Sequence, residues 1–142
     1  MRFWDTSALL PLVVAERGTP RVERWIRSDP HVLVWTLTRV ELLSALARRR
    51  RDDPGAARAL AGARREVLAA WERWSEVTAV DVVRRHAERV VETYPLRAAD
   101  ALQIGAALVA SEERPGTMEF VTFDRVQADA AGREGFRVLG VD

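Results

Sequence analysis

The chain has 142 residues, with 22 basic residues against 21 acidic ones for a net charge of +1, which fits a single domain over residues 1–142 and excludes a polycation that coats nucleic acid indiscriminately. Every basic residue is arginine and there is no cysteine, so a Walker A phosphate loop, a Schiff-base enzyme, a thiol nucleophile, a disulfide framework and a cysteine zinc site are all ruled out. His31 and His86 are too few for a histidine metal cage, which leaves carboxylates, hydroxyls and guanidinium groups for chemistry.

Residues 2–5 predict a short strand, with no basic leader and long apolar stretch of a secretory signal. Residues 7–16 read as a helix, with Pro11 tolerated near its first turn or bending it. Thr19-Pro20 has the form of an N-cap followed by proline at the first helical position, and starts a second helix. The apolar run 31–35 predicts a buried strand, and 37–51 a helix whose Val40, Leu42, Leu43 and Leu46 form one stripe. Pro54-Gly55 breaks the pattern before an alanine-rich helix that extends to residue 74. A strand at 76–80 and a helix at 81–91, capped by Asp81 and ended by Tyr94-Pro95, come next. An apolar helix over 98–111 stops before Pro115-Gly116; a strand at 118–123, a small helix at 125–134 and a closing strand at 136–141 complete the chain. No run approaches the roughly 18 apolar residues of a membrane span. Strands alternating with helices, without repeat or linker, predict an α/β sandwich around a short, mainly parallel sheet. With no cysteine and no leader, a cytoplasmic location is expected.

Charge is uneven: residues 1–38 carry 5 Arg against 4 acids, 39–97 carry 13 against 9, and 98–142 carry 4 against 8. The run Arg48-Arg49-Arg50-Arg51 reads either as a solvated helix end that complements the dipole or as a patch for phosphate or a partner. Among five tryptophans, Trp71 and Trp74 at helical spacing suit a core or dimer interface, Trp4 and Trp35 suit the core, and Trp25 is ambiguous. His86 on the apolar side of its helix reads as structural, and His31 as a turn residue.

Four acids stand in apolar settings. Asp5 ends the first strand, Glu41 lies between Val40 and Leu42-Leu43, Asp100 opens an apolar helix and Asp124 ends the strand Phe120-Val121-Thr122-Phe123. In an open α/β sheet the ligand crevice lies beyond the carboxyl ends of the strands, which is where Asp5 and Asp124 fall. Each acid also has a capping reading: Thr38-Arg39-Val40-Glu41 and Asp124-Arg125-Val126-Gln127 have capping-box form, Asp5 can cap the next helix, and Asp100 suits a positive helix end. Capping does not explain four acids with apolar neighbours. Burying them together costs several kcal/mol per ion unless a cation neutralises them. An oxygen-only donor set suits a hard divalent ion, Mg²⁺ or Mn²⁺.

Asp5-Thr6-Ser7-Ala8-Leu9-Leu10, then Glu41, then Leu96-Arg97-Ala98-Ala99-Asp100-Ala101-Leu102-Gln103, then Val121-Thr122-Phe123-Asp124, stand in an order and spacing that resembles the PIN-domain nuclease family, and within it the VapC-like toxins of toxin–antitoxin modules. The resemblance spans essentially the whole chain. It implies a PIN-like three-layer sandwich and Mg²⁺-dependent hydrolysis of RNA phosphodiester bonds, with Mn²⁺ as a substitute. It also implies a catalytic quartet of Asp5, Glu41, Asp100 and Asp124, with Asp5, Asp100 and Asp124 on the metal and Thr6, Ser7 and Thr122 supporting. A cognate antitoxin and a homodimer are its implied partners. Arg97, beside Asp100, is the first candidate for a substrate phosphate. Phe123, between Thr122 and Asp124, departs from the family's last motif. Two other readings stand beside this one. A non-catalytic PIN-like binding module is the first. A haloacid-dehalogenase-type phosphatase is the second, although it needs an aspartate where this chain has Ser7.

Overall fold

The computed structural model describes residues 1–141. Five strands, β1 (Arg2–Trp4), β2 (Val32–Trp35), β3 (Ser75–Val77), β4 (Glu119–Val121) and β5 (Arg137–Leu139), form one sheet in the order β3-β2-β1-β4-β5. Every pairing is parallel, with Phe3 opposite both Leu33 and Phe120. The helices are α1 (Thr6–Leu9), α2 (Thr19–Ser28), α3 (Thr38–Asp52), α4 (Ala57–Trp71), α5 (Val80–Thr93), α6 (Ala98–Ala110) and α7 (Arg125–Arg133). Among the described residues no helix is long and apolar enough to cross a membrane.

The period-2 geometry of the strands divides their apolar residues between two layers of helix, which is why these strands read as continuous apolar runs. Phe3, Trp35, Phe120 and Val77 face α5, α6 and α7, packing on Val83, Ile104, Ala107 and Ala131. Their neighbours Trp4, Val34 and Val121 face the opposite way, onto Leu9, Val22, Leu42, Val67 and Trp71 of α1 to α4. The result is the expected three-layer α/β sandwich. Gly105 permits the close crossing of α5 and α6, since a Cβ there would stand 2.7 Å from the Val83 carbonyl.

Five local expectations change. Asp81 does not cap α5, whose cap residue is Ala79; it lies within the first turn and, among the described residues, makes no capping hydrogen bond. The helix expected over 7–16 ends after one turn at Leu9 and tightens into a 3-10 turn, Leu10–Leu12, with Pro11 at its start. Proline has no N–H to continue the α-helical ladder. Thr19 is not an N-cap: its hydroxyl donates to the Pro11 carbonyl at 2.8 Å and accepts from the Glu16 amide at 2.9 Å, which fastens the start of α2 to that turn. Val40 leaves the α3 stripe and is 62% exposed, whereas Leu42 and Leu46 are buried. The alanine-rich helix ends at Trp71, three residues before Trp74.

Candidate active site

Asp5 follows β1 directly and caps α1, accepting from the Ser7 amide at 3.0 Å. Its Oδ2 also accepts from the Ser7 hydroxyl at 2.6 Å, and its Oδ1 from Gln127 Nε2 at 3.3 Å. The Thr122 hydroxyl lies 3.1 Å from Asp5 Oδ2 and 2.7 Å from Gln127 Oε1, and accepts from the Asp124 amide at 3.0 Å. Asp5 is only 5% exposed. Burial pushes its carboxyl above the usual range, and the bonds from Ser7, Gln127 and Thr122 work against that rise.

Asp124 follows β4 and caps α7 through the Gln127 amide at 2.8 Å. The carboxyl ends of two adjacent parallel strands thus each lead into an aspartate that caps the next helix. Glu41 comes from the first turn of α3, where it accepts from the Thr6 hydroxyl at 2.7 Å and from Gln103 Nε2 at 3.3 Å. Asp100 lies in the first turn of α6 and is half-buried. Burial raises Glu41, the hydrogen bonds from Thr6 and Gln103 oppose the rise, and repulsion from Asp5 and Asp100 adds to it. Burial also raises Asp100, reinforced by repulsion from Asp5 and Asp124 and countered by Arg97. Four elements far apart in sequence therefore bring four carboxylates into each other's fields.

Thr6, Glu41, Asp100 and Asp124 line one cleft of about 680 Å³, with Arg48 and Arg97 on its walls. Glu41, Ser44, Ala45 and Arg48 contribute from α3 at a spacing that keeps them on one helical face. Val40 and Val126 also line it and are half or more exposed, so the mouth carries apolar surface. Among the described residues, no three acidic or histidine side chains are arranged to hold a metal ion as they stand. The donor set fits a hard divalent ion in kind: it is all oxygen, and burial together with mutual repulsion leaves it short of positive charge.

Thr6, Ser7 and Thr122 each hydrogen-bond to one of these acids. The capping readings divide. Asp124 caps α7 and also lines the cleft, whereas Asp5 caps α1 and reaches Glu41 and Asp100 through its charge. The capping box at Thr38 does not form, because Leu37 is the cap residue and the buried Thr38 hydroxyl donates to Gln103 Oε1 at 3.2 Å. Gln103 and Gln127, both fully buried, are the residues the motif reading passed over. Their signal was a polar residue inside the apolar runs Leu102-Gln103-Ile104 and Val126-Gln127-Ala128. Gly140, at φ +123°, would place a Cβ 1.9 Å from the Thr122 carbonyl, so only glycine lets the chain after β5 cross behind Thr122.

The arginine run splits. Arg48 lines the cleft, Arg49 pairs with Glu16, and Arg51 is exposed. Trp4, Trp35 and Trp71 are core residues, Trp71 donating to Glu76 at 2.8 Å, and Trp25 packs edge-on against Trp4. His86 lies 3.6 Å from Glu113 and His31 3.2 Å from Asp29, both away from the cleft.

Residues 2–133 match the PIN domain. No curated protein matches the chain in sequence. Among solved structures, a toxin–antitoxin complex from Klebsiella pneumoniae is similar, with TM-score 0.61 and 15% identity over 98% of this chain and 96% of that one. FitAcB from Neisseria gonorrhoeae has TM-score 0.61 and 16% identity over 98% and 96%. PAE2754 from Pyrobaculum aerophilum has TM-score 0.57 and 23% identity over 91% and 78%. At these identities the likeness is one of fold.

Proposed function

The chain belongs to the PIN domain family, and from that premise we propose that it is a divalent-metal-dependent endoribonuclease, the toxin of a toxin–antitoxin pair, inhibited by a cognate antitoxin and active as a homodimer. PIN domains are in general nucleases, and one of the similar folds is that of a toxin–antitoxin complex. The observation that carries the catalytic reading is that Glu41, Asp100 and Asp124 line one cleft while the buried Asp5 acts on Glu41 and Asp100 by its charge, with Asp5, Glu41 and Asp100 pushed above the ordinary carboxylate range.

Asp5, Asp100 and Asp124 are the residues that would hold the ion, Mg²⁺ or Mn²⁺, and Glu41 would complete its surroundings or hold bound water. The chemistry that a bound ion would supply there is Lewis-acid polarisation of the scissile phosphate, a lowered pKa for an attacking water and charge stabilisation at the leaving oxygen. The rest of the work belongs to side chains. Ser7, Thr122 and Gln127 fix the Asp5 carboxylate, while Thr6 and Gln103 fix Glu41. Each acid is thereby held in one orientation before substrate arrives, which lowers the reorganisation needed at the moment of reaction. Arg97 and Arg48 line the cleft walls, and their guanidinium groups would pair there with phosphate oxygens.

Purified protein is expected to cleave RNA with Mg²⁺ or Mn²⁺, to stop on addition of EDTA, and to lose cleavage on Asp100→Asn. Full ribonuclease activity in Asp100→Asn sinks the proposed site. One observation favours a second reading, a non-catalytic PIN-like module: no three acids stand in metal-binding arrangement among the described residues. Calorimetric titration with Mn²⁺ separates the two, since a catalytic site binds the ion and loses it in Asp5→Asn, whereas a binding module takes none.

A further inference from the structure

Beside the acid cleft lies a second groove, of about 1080 Å³, lined by Arg17, Arg21, Arg24, Arg125, Glu16 and Phe123. We propose that this groove is a backbone subsite that holds the phosphates of a single-stranded RNA flanking the bond cut in the acid cleft; this rests on the ribonuclease reading above. Its charge is one-sided among the described residues. Arg17, Arg24 and Arg125 line it with one carboxylate, Glu16, which is already paired with Arg49. Arg17, Arg24 and Arg125 are exposed and form no ion pair among the described residues. Arg21 is ordered by stacking, its guanidinium carbon 5.3 Å from the Trp25 ring and 5.8 Å from the Phe123 ring. Gly18 admits this arrangement, because a Cβ there would stand 2.8 Å from the Phe123 ring.

The groove and the cleft share their walls. Successive residues of α1 divide between them, Thr6 lining the cleft and Ser7 the groove, and the segment after β4 alternates likewise, with Asp124 and Val126 in the cleft and Phe123 and Arg125 in the groove. The Ser7 hydroxyl ties the two together, donating to Asp5 and accepting from the Phe123 amide at 2.9 Å. A strand whose scissile phosphate enters the acid cleft meets arginines as soon as it crosses this ridge. The need for them is electrostatic: four carboxylates carry more negative charge than one divalent ion offsets, and at physiological salt the remaining repulsion of a polyanion extends about 8 Å. Adjacent cations must offset it before the substrate can approach. Phe123, the departure from the family's last motif, serves as the plate on which Arg21 rests. An acidic segment of a partner protein would also meet these arginines, but it has no reason to continue into a cleft lined by acids, whereas an RNA strand does.

The test uses the full chain in an Asp100→Asn background, so that RNA binds uncut, with a short fluorescein-labelled single-stranded RNA as probe. Anisotropy titrations across about 50 to 200 mM salt give the slope of log affinity against log salt. Each arginine–phosphate contact contributes about 0.7 to that slope for single strands, so replacing Arg17, Arg24 and Arg125 with Gln should lower it by about 2 and shrink the salt effect across this range about twentyfold. The matching triple Arg→Lys variant should keep the slope, and a triple Gln variant at the distant Arg58, Arg65 and Arg85 should leave it unchanged. Loss of slope in the groove variant with retention in the Lys variant supports the subsite and excludes a folding defect. An unchanged slope in the groove variant overturns it, including the case where the same variant loses an acidic protein partner instead. Parallel cleavage assays with the unmutated chain keep the two ideas apart: cleavage with an unchanged slope defeats only the groove, and a lost slope without cleavage defeats only the catalytic reading.

Discussion

Two sets of acids in this molecule are treated in opposite ways. Glu134, at the end of α7, receives both a cation and a hydroxyl: Arg89 donates to its two oxygens at 3.0 and 2.5 Å, and the Tyr94 hydroxyl donates at 2.9 Å. The hydrogen bond from Arg89 outweighs burial and holds Glu134 below the usual carboxylate range. The acids of the cleft receive neutral donors such as Ser7, Thr6 and the two glutamines, and burial leaves Asp5, Glu41 and Asp100 above that range. A carboxylate that joins two helices is given its counter-charge within the fold. The cleft acids are oriented but not neutralised, so their demand for positive charge is left to whatever enters the cleft.

The largest effect that tests this contrast is catalytic. Asp5→Asn or Asp100→Asn should reduce RNA cleavage under single-turnover conditions roughly a thousandfold, equivalent to about 4 kcal/mol of barrier. Activity within tenfold of the unmutated chain would remove the cleft's claim to be different. Next in size is Gln103→Leu, which strips a buried partner from both Thr38 and Glu41. It should lower stability to urea by about 2 kcal/mol and reduce cleavage as Glu41 loses its orientation. Glu134→Gln should cost about 1.5 kcal/mol, at the low end for charge-assisted bonds because Arg89 is half-exposed, and leave cleavage untouched. A cleavage defect there would make the clamp part of the machinery.

The smallest effect is the most specific to the comparison. Asp100→Asn should raise stability near pH 7 by up to about 1 kcal/mol, because it removes one of several mutually repelling charges. The pH dependence has opposite signs in the two sets. For the cleft acids, whose folded pKa values are raised, the penalty is complete above the folded values and disappears as pH falls to the unfolded ones. For Glu134, whose folded value is lowered, the benefit is complete above the unfolded value and is lost as pH falls through the folded one. Denaturation curves of Asp100→Asn and Glu134→Gln against pH should therefore converge on the unmutated chain in acid from opposite sides.

Sequence patterning located the strands and most helices because each buries a continuous apolar run or a 3.6-period stripe, signals that tertiary packing reinforces. It also picked out Asp5, Glu41, Asp100 and Asp124, since a carboxylate beside core residues is costly wherever the chain folds. Their order along the chain, and the lysine-free and cysteine-free composition, were likewise properties of the sequence alone. What only the tertiary structure decided is which partner each polar group takes. Thr38 has the right spacing to cap α3, yet bonds Gln103 because α6 crosses at that point. Thr19 fastens a turn instead of capping a helix, and Val40 lies at the mouth of a cleft instead of in a core. The four arginines of the second groove come from the turn before α2, from α2 itself and from the start of α7, and meet only because β1 and β4 are neighbours. Local patterns fix which residues a strand or helix must bury. The pairing of side chains more than thirty residues apart depends on strand order and helix crossing, and no local pattern carries that information.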